Sequence, residues 1–168
     1  MIRLAGEEDW QAIPEVHRAA FARSGDEVAR LAAELHERGD LYVPELSFVA
    51  EEDGRVVGHV MNTWSEIEAS DARVLQLSPL GVLPEHQRRG HGSALVRASL
   101  EAVRVYGEPV VVLEGDPAYY GRFGFVRADE FGLLPPPGTP NAGFQVAILE
   151  PDAQLPQGRV VYSEPFRH

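Results

Sequence analysis

Cysteine is absent from the 168-residue chain. That excludes a disulfide framework, a thiol nucleophile and a Cys-based metal site, and it fits a reducing compartment. Basic residues are scarce, with 15 Lys and Arg against 26 Asp and Glu, for a formal net charge of −11 at pH 7. Such a balance argues against nucleic acid as a partner and favours a cationic substrate. Long apolar runs are missing as well. The start, MIRLAGEEDW, has no apolar stretch of signal-peptide length, and no run approaches the roughly 20 apolar residues of a membrane span. The expected location is the cytoplasm, with no membrane partner.

What remains suffices for one core: 44% of the residues are hydrophobic, and the length fits a single domain. Residues 1–150 read as the body of that domain and 151–168 as a tail belonging to it. Ile2 to Leu4 suits a short strand. Glu7 to Ala22 places Trp10, Ile13, Val16, Ala20 and Phe21 towards one side of a helix, and Asp26 can cap a second helix from Glu27 to about Arg38. Phe48–Ala50 and Val56–Met61 flank Asp53-Gly54, the signature of a hairpin. After an acidic loop from Glu66 to Asp71, an interrupted strand, a helix and the β-branched run Val110–Leu113 predict a right-handed parallel crossover. Gly115 to Phe125 is dense in aromatics and glycines ahead of a strand near Val126. Leu133 to Gly143 is a proline-rich loop, and Gln145 to Leu149 a further strand. Gly158 to Tyr162, in the tail, suits a strand that extends a sheet edge or crosses to a second subunit.

The stretch Leu75–Tyr106 carries the chemistry. Pro79 and Gly81 interrupt an apolar run that ends at Pro84, and helical periodicity begins at Ser93. Gly90 and Gly92 thus sit where a strand turns into a helix. There the first N–H groups lack intrahelical partners and the dipole is positive, which suits an anion, and glycine lets backbone approach it. Arg88 and Arg89 add charge and forked donors. The turn is neither a Walker loop, which needs Lys followed by Ser or Thr, nor a Rossmann fingerprint, since Leu95 stands where a third small residue belongs.

Gln87-Arg88-Arg89-Gly90-His91-Gly92, following Val82-Leu83-Pro84, resembles the Q/R-x-x-G-x-G/A acetyl-CoA signature of the GNAT N-acetyltransferase superfamily. The segments LSPLGVLPEHQRRGHGSALV, GDPAYYGRFGF and GRVVYSEPF are similar to those of its YhbS-like group of predicted bacterial acetyltransferases. The resemblance implies an α/β fold with a mixed sheet of about seven strands and helices on both faces. It implies acetyl-CoA as co-substrate, no metal, and transfer of the acetyl group to a primary amine by direct attack in a ternary complex. The main chain of Leu80 and Val82 would bond the pantetheine arm. Gln87, Arg88, Arg89, Gly90, His91, Gly92 and Ser93 would wrap the pyrophosphate, mainly through backbone N–H groups. Family members commonly carry a tyrosine four residues before the glycine of a late Gly-Phe pair, which matches Tyr120 before Gly124-Phe125. Its hydroxyl would protonate the departing thiolate, a role open to a phenol that is protonated at neutral pH. Tyr119 is the neighbouring candidate for cofactor contact.

The same rings also read as core aromatics with one wet edge. An asparagine that the family often places upstream is replaced here by Asp116-Pro117. Where many relatives have a basic carboxylate, Ser78 stands, leaving Glu45, Glu66, Glu68, Asp71 and Glu114 as available bases. A hydrolase built on Ser78 would lack the G-x-S-x-G elbow. Two other functions remain open: a GNAT-like module that senses CoA or acyl-CoA without catalysis, and a nucleotide-binding protein, which would lack the usual Lys and metal carboxylate. The acceptor amine is not legible, nor is the choice between monomer and homodimer.

Overall fold

Among the described residues, glycine and proline punctuate a chain of nine strands and four α-helices. They are seen in a computed structural model that describes residues 1–167. Strand β1 spans Ile2–Leu4, a 3-10 turn spans Glu7–Gln11, and α1 spans Ile13–Ala20. The one helix expected over Glu7 to Ala22 is therefore two pieces. Pro14 sits in the first turn of α1, where its missing N–H is tolerated, but it cannot continue a helix from upstream. Helix α2 spans Gly25–Glu37, with Ser24 at the N-cap. Asp26 does not cap it. That residue lies in the first turn and accepts from Arg18 Nε at 2.9 Å.

Strands β2 (Tyr42–Glu52) and β3 (Arg55–Ile67) form the expected hairpin, longer than the apolar runs alone suggest. Asp53 and Gly54 at its turn have φ of 53° and 77°, the left-handed pair that matches the strand twist. Next come β4 (Arg73–Val82), α3 (His91–Tyr106) and β5 (Val110–Glu114), and β4 and β5 pair in parallel as the crossover requires. The remaining elements are α4 (Pro117–Tyr120), β6 (Val126–Arg127), β7 (Leu133–Leu134), β8 (Phe144–Ile148) and β9 (Gly158–Val161). Hydrogen-bonded order is β1-β2-β3-β4-β5-β8-β6, with β9 bonded to β3 and β7. This is the mixed sheet of about seven strands that was expected, with two short additions. The tail strand extends its own chain's sheet, with Glu66 opposite Val161 and Ile67 opposite Val160.

Contacts divide the chain into two compact units, with β3, β4 and α3 running through both. The first unit comprises residues 1–63 and 78–102, and its core is built on Ile13, Leu35, Leu46, Val60, Met61 and Leu95, all fully buried. The second holds residues 64–77 and 103–167, packed around Ile67, Val112, Phe144, Val146 and Val160. Burying each such side chain contributes about 1.5–3 kcal/mol. Some buried polar groups of the strands are paired: Ser65 Oγ donates to Gln76 Oε1 at 3.0 Å, and Asn62 Nδ2 to Ser99 Oγ at 2.5 Å, whereas Asn62 Oδ1 and Thr63 Oγ1 have no partner.

Candidate active site

In the first unit, the end of β4 alternates between two environments. Pro79, Gly81 and Leu83 are buried, whereas Ser78, Leu80 and Val82 share a half-buried face. Gly81 has a steric reason: a Cβ there would lie 2.7 Å from His17 Nδ1 and 3.2 Å from the Ala20 side chain. Helix α1 therefore rests directly on the backbone of β4.

Beyond β4, Pro84–His86 form a 3-10 turn closed by the Gln87 amide, which donates to the Pro84 carbonyl at 3.3 Å. The Gln87 side chain donates to the Val82 carbonyl at 3.0 Å. Both groups of Gln87 thus hold the turn together. Arg88 and Gly90 are both left-handed, with φ of 64° and 87°. Glycine takes that conformation freely; at Arg88 it costs about 1–2 kcal/mol. Nothing lies within 4 Å of where a Gly90 Cβ would stand. The Ala94 amide then bonds the Gly90 carbonyl at 3.0 Å, which starts α3 and places His91, Gly92 and Ser93 in its first turn.

Arg89, His86 and His91 meet one carboxylate, that of Glu52 at the end of β2. Arg89 NH1 donates to Oε1 at 2.6 Å, and His86 Nδ1 and His91 Nε2 approach Oε2 at 2.9 and 2.8 Å. Hydrogen bonds from His91 and then His86 lower the Glu52 carboxyl to about 2. His91 and His86 are only 14% and 16% exposed.

Deeper in the same unit, His17 Nε2 bonds His59 Nδ1 at 2.8 Å, and His59 Nε2 bonds Ser47 Oγ at 3.0 Å, all three fully buried. Burial drives His17 down to about 3 and His59 well below its usual range, so both rings are neutral. His17 Nδ1 has no hydrogen-bond partner. Trp10 stacks on His36 at 4.0 Å and meets His59 edge-on. Sequence reasoning missed Glu52, His17 and His59. The available signals were a histidine on the apolar face of α1 and another inside an apolar strand.

In the second unit, Asp116 caps α4: its carboxylate accepts from the Ala118 amide at 2.9 Å, and its carbonyl from the Tyr119 and Tyr120 amides. The Asp116-Pro117 pair that departs from the family pattern is thus what starts the tyrosine helix. The Tyr120 ring lies on Gly115, where a Cβ would come within 2.6 Å of it, and meets Tyr119 and Phe125 edge-on. Burial, then the neighbouring Tyr119, raises the Tyr120 phenol to about 12. Tyr119 also carries the Arg122 guanidinium 4.7 Å above its ring. Of the carboxylates available as bases, Glu114 accepts from the Tyr162 hydroxyl at 3.1 Å, while Glu45, Glu66, Glu68 and Asp71 are exposed. Burial and Glu114 together push the Tyr162 phenol up. Among the described residues, no three His, Asp or Glu side chains are disposed to hold a metal ion, and no helix is long and apolar enough to cross a membrane.

Residues 1–128 match the Acetyltransferase (GNAT) domain family. Over nearly its whole length the chain is 34% identical to a protein named "Uncharacterized N-acetyltransferase YhbS" from Escherichia coli K12, covering 99% of this chain and 98% of the relative. The crystal structure of E. coli YhbS in complex with CoA superposes with a TM-score of 0.89 at 33% identity, over 100% of this chain and 92% of that one. A GNAT family acetyltransferase from Brucella melitensis, in complex with acetyl-CoA, gives 0.80 at 33% identity, over 99% of this chain and 97% of that one.

Proposed function

The chain belongs to the GNAT N-acetyltransferase family, and we propose that it moves the acetyl group of acetyl-CoA to a primary amine within a ternary complex. The observation that carries this reading is the turn from Gln87 to Ser93. Two left-handed residues and the first turn of α3 expose backbone amides beside two arginines, in a chain whose similar structures hold CoA and acetyl-CoA. Amides of residues 88–93 bind the pyrophosphate, with Arg88 and Arg89 assisting, while Gln87 and the His91 ring keep the turn in shape. Leu80 and Val82 offer main-chain groups to the pantetheine arm, and Tyr119 contributes to cofactor binding. On this reading residues 1–150 are a single acetyltransferase domain, with 151–168 as its tail.

The amine must lose a proton before its lone pair attacks the thioester carbonyl. The C–N bond then forms, the C–S bond breaks, the thiolate takes a proton from Tyr120, and the proton shed by the newly acetylated nitrogen restores the phenol. With the family's usual carboxylate replaced by Ser78, the base is not assigned; the acidic surface suits a cationic acceptor. Ser78 also favours a second reading, a CoA-binding module without catalysis. Calorimetry with acetyl-CoA tests the pocket: the parent should bind, and a folded Gly90→Val variant should not, because β-branching at a φ of 87° is strained and its bulk occupies the path to the amides. Equal binding by both proteins sinks the assignment. Release of free thiol across an amine panel separates enzyme from module.

A further inference from the structure

We propose that Glu52 is the positioning residue of the acyl-CoA phosphate turn, a single carboxylate that holds the turn in its anion-binding shape before the cofactor arrives. The inference rests on the reading that this turn receives the phosphates.

The turn before α3 is closed by short-range backbone bonds: the His86 amide to Leu83, the Gln87 amide to Pro84, and the Ala94 amide to Gly90. Between the second and the third stand Arg88 and Gly90, both at positive φ. A non-glycine residue in that region relaxes unless its surroundings hold it there. Glu52 supplies such a hold from 34, 37 and 39 residues away, through His86, Arg89 and His91 respectively. His86 precedes the left-handed pair, Arg89 lies between its members, and His91 follows. The three contacts therefore bracket the strained backbone, and both carboxylate oxygens take part. The histidines need no charge to do this, since a neutral ring donates from one nitrogen. Hydrogen bonds from His91 and His86 hold the carboxyl well below its usual range, so it is ionised at neutral pH.

The arrangement also has an opposite reading. A carboxylate beside a phosphate site repels the ligand, so if Glu52 only competed with phosphate for Arg89, its removal would tighten binding. The two readings predict changes of opposite sign.

The test uses the whole chain with Glu52→Ala, Glu52→Gln and, as a control, Glu85→Ala. Glu85 is an exposed residue of the same 3-10 turn, 3.7 Å from Arg55. Without ligand, amide hydrogen exchange over residues 88–93 should quicken about tenfold or more in Glu52→Ala, and calorimetry should show acetyl-CoA affinity falling about tenfold. Glu52→Gln keeps one acceptor oxygen for the histidines and should recover part of both losses, which general destabilisation would not. Glu85→Ala should match the parent in both readouts. Normal parental binding with unchanged exchange and affinity in folded Glu52→Ala overturns the role of Glu52 alone, and tighter binding overturns it in favour of a competing anion. If instead the parent binds no acetyl-CoA, the pocket reading falls, whatever the exchange rates show.

Discussion

Tyr120 is raised to about 12 by burial, so its phenol is fully protonated at neutral pH. A free thiol titrates near 8.5, so handing the proton over completely is uphill, by about 1.4 kcal/mol for each unit of difference. The phenol acts best as a short hydrogen-bond donor while charge gathers on sulfur, with transfer completed as CoA departs. Tyr120→Phe keeps the ring on Gly115 and removes only the oxygen. Steady-state kinetics on an amine from the panel should show kcat lower by roughly ten- to a thousandfold, while calorimetry finds acetyl-CoA affinity unchanged. A core tyrosine would give the reverse, intact turnover in a less stable protein.

At the scale of elements, α1, β3 and β2 are joined by the buried run His17, His59 and Ser47. Its stability depends on pH with a definite sign. Above about pH 6.5 the histidines are neutral whether the chain is folded or not, and the contribution is complete. As pH falls from there towards about 3, the unfolded chain takes up protons that the folded one excludes. His17 then removes about 1.4 kcal/mol of stability per pH unit, and His59, shifted in the same direction, adds to the loss. Urea midpoints should fall between pH 6.5 and 5, above the range where most carboxylates titrate; a flat profile there would show the pair to be solvated. Neither this pair nor the Glu52 clamp was legible in the sequence, because their partners lie 34 to 42 residues apart and nothing local marks them. The Asp53-Gly54 hairpin and the turn into α3 were legible, because glycine at a left-handed position and a change of periodicity are local signals. The Asp116 cap fell between these cases. Its sequence looked like a departure from the family, and only the bond to Ala118 shows it starting the helix that holds Tyr120.

The net charge of −11 belongs to the molecule as a whole, and it opposes the approach of a polyanion such as acetyl-CoA. At the turn the charge is locally different: Arg89 is met by Glu52 at 2.6 Å, so positive charge there comes chiefly from Arg88 and the start of α3. Salt separates the two by distance. The Debye length is about 30 Å at 0.01 M and about 10 Å at 0.1 M, so modest salt removes the distributed repulsion while contacts of a few ångströms survive. Higher salt then weakens those contacts too. Acetyl-CoA affinity, followed by calorimetry from about 0.01 to 1 M NaCl, should therefore rise, pass through a maximum near the 0.1 M range, and fall. The fall should be shallow, since only one arginine is not already neutralised, and Arg88→Ala should flatten it further. An affinity that only rises would remove the arginines from phosphate contact. One that only falls would mean that the acidic surface is not felt at the turn, and would weaken the case for a cationic acceptor.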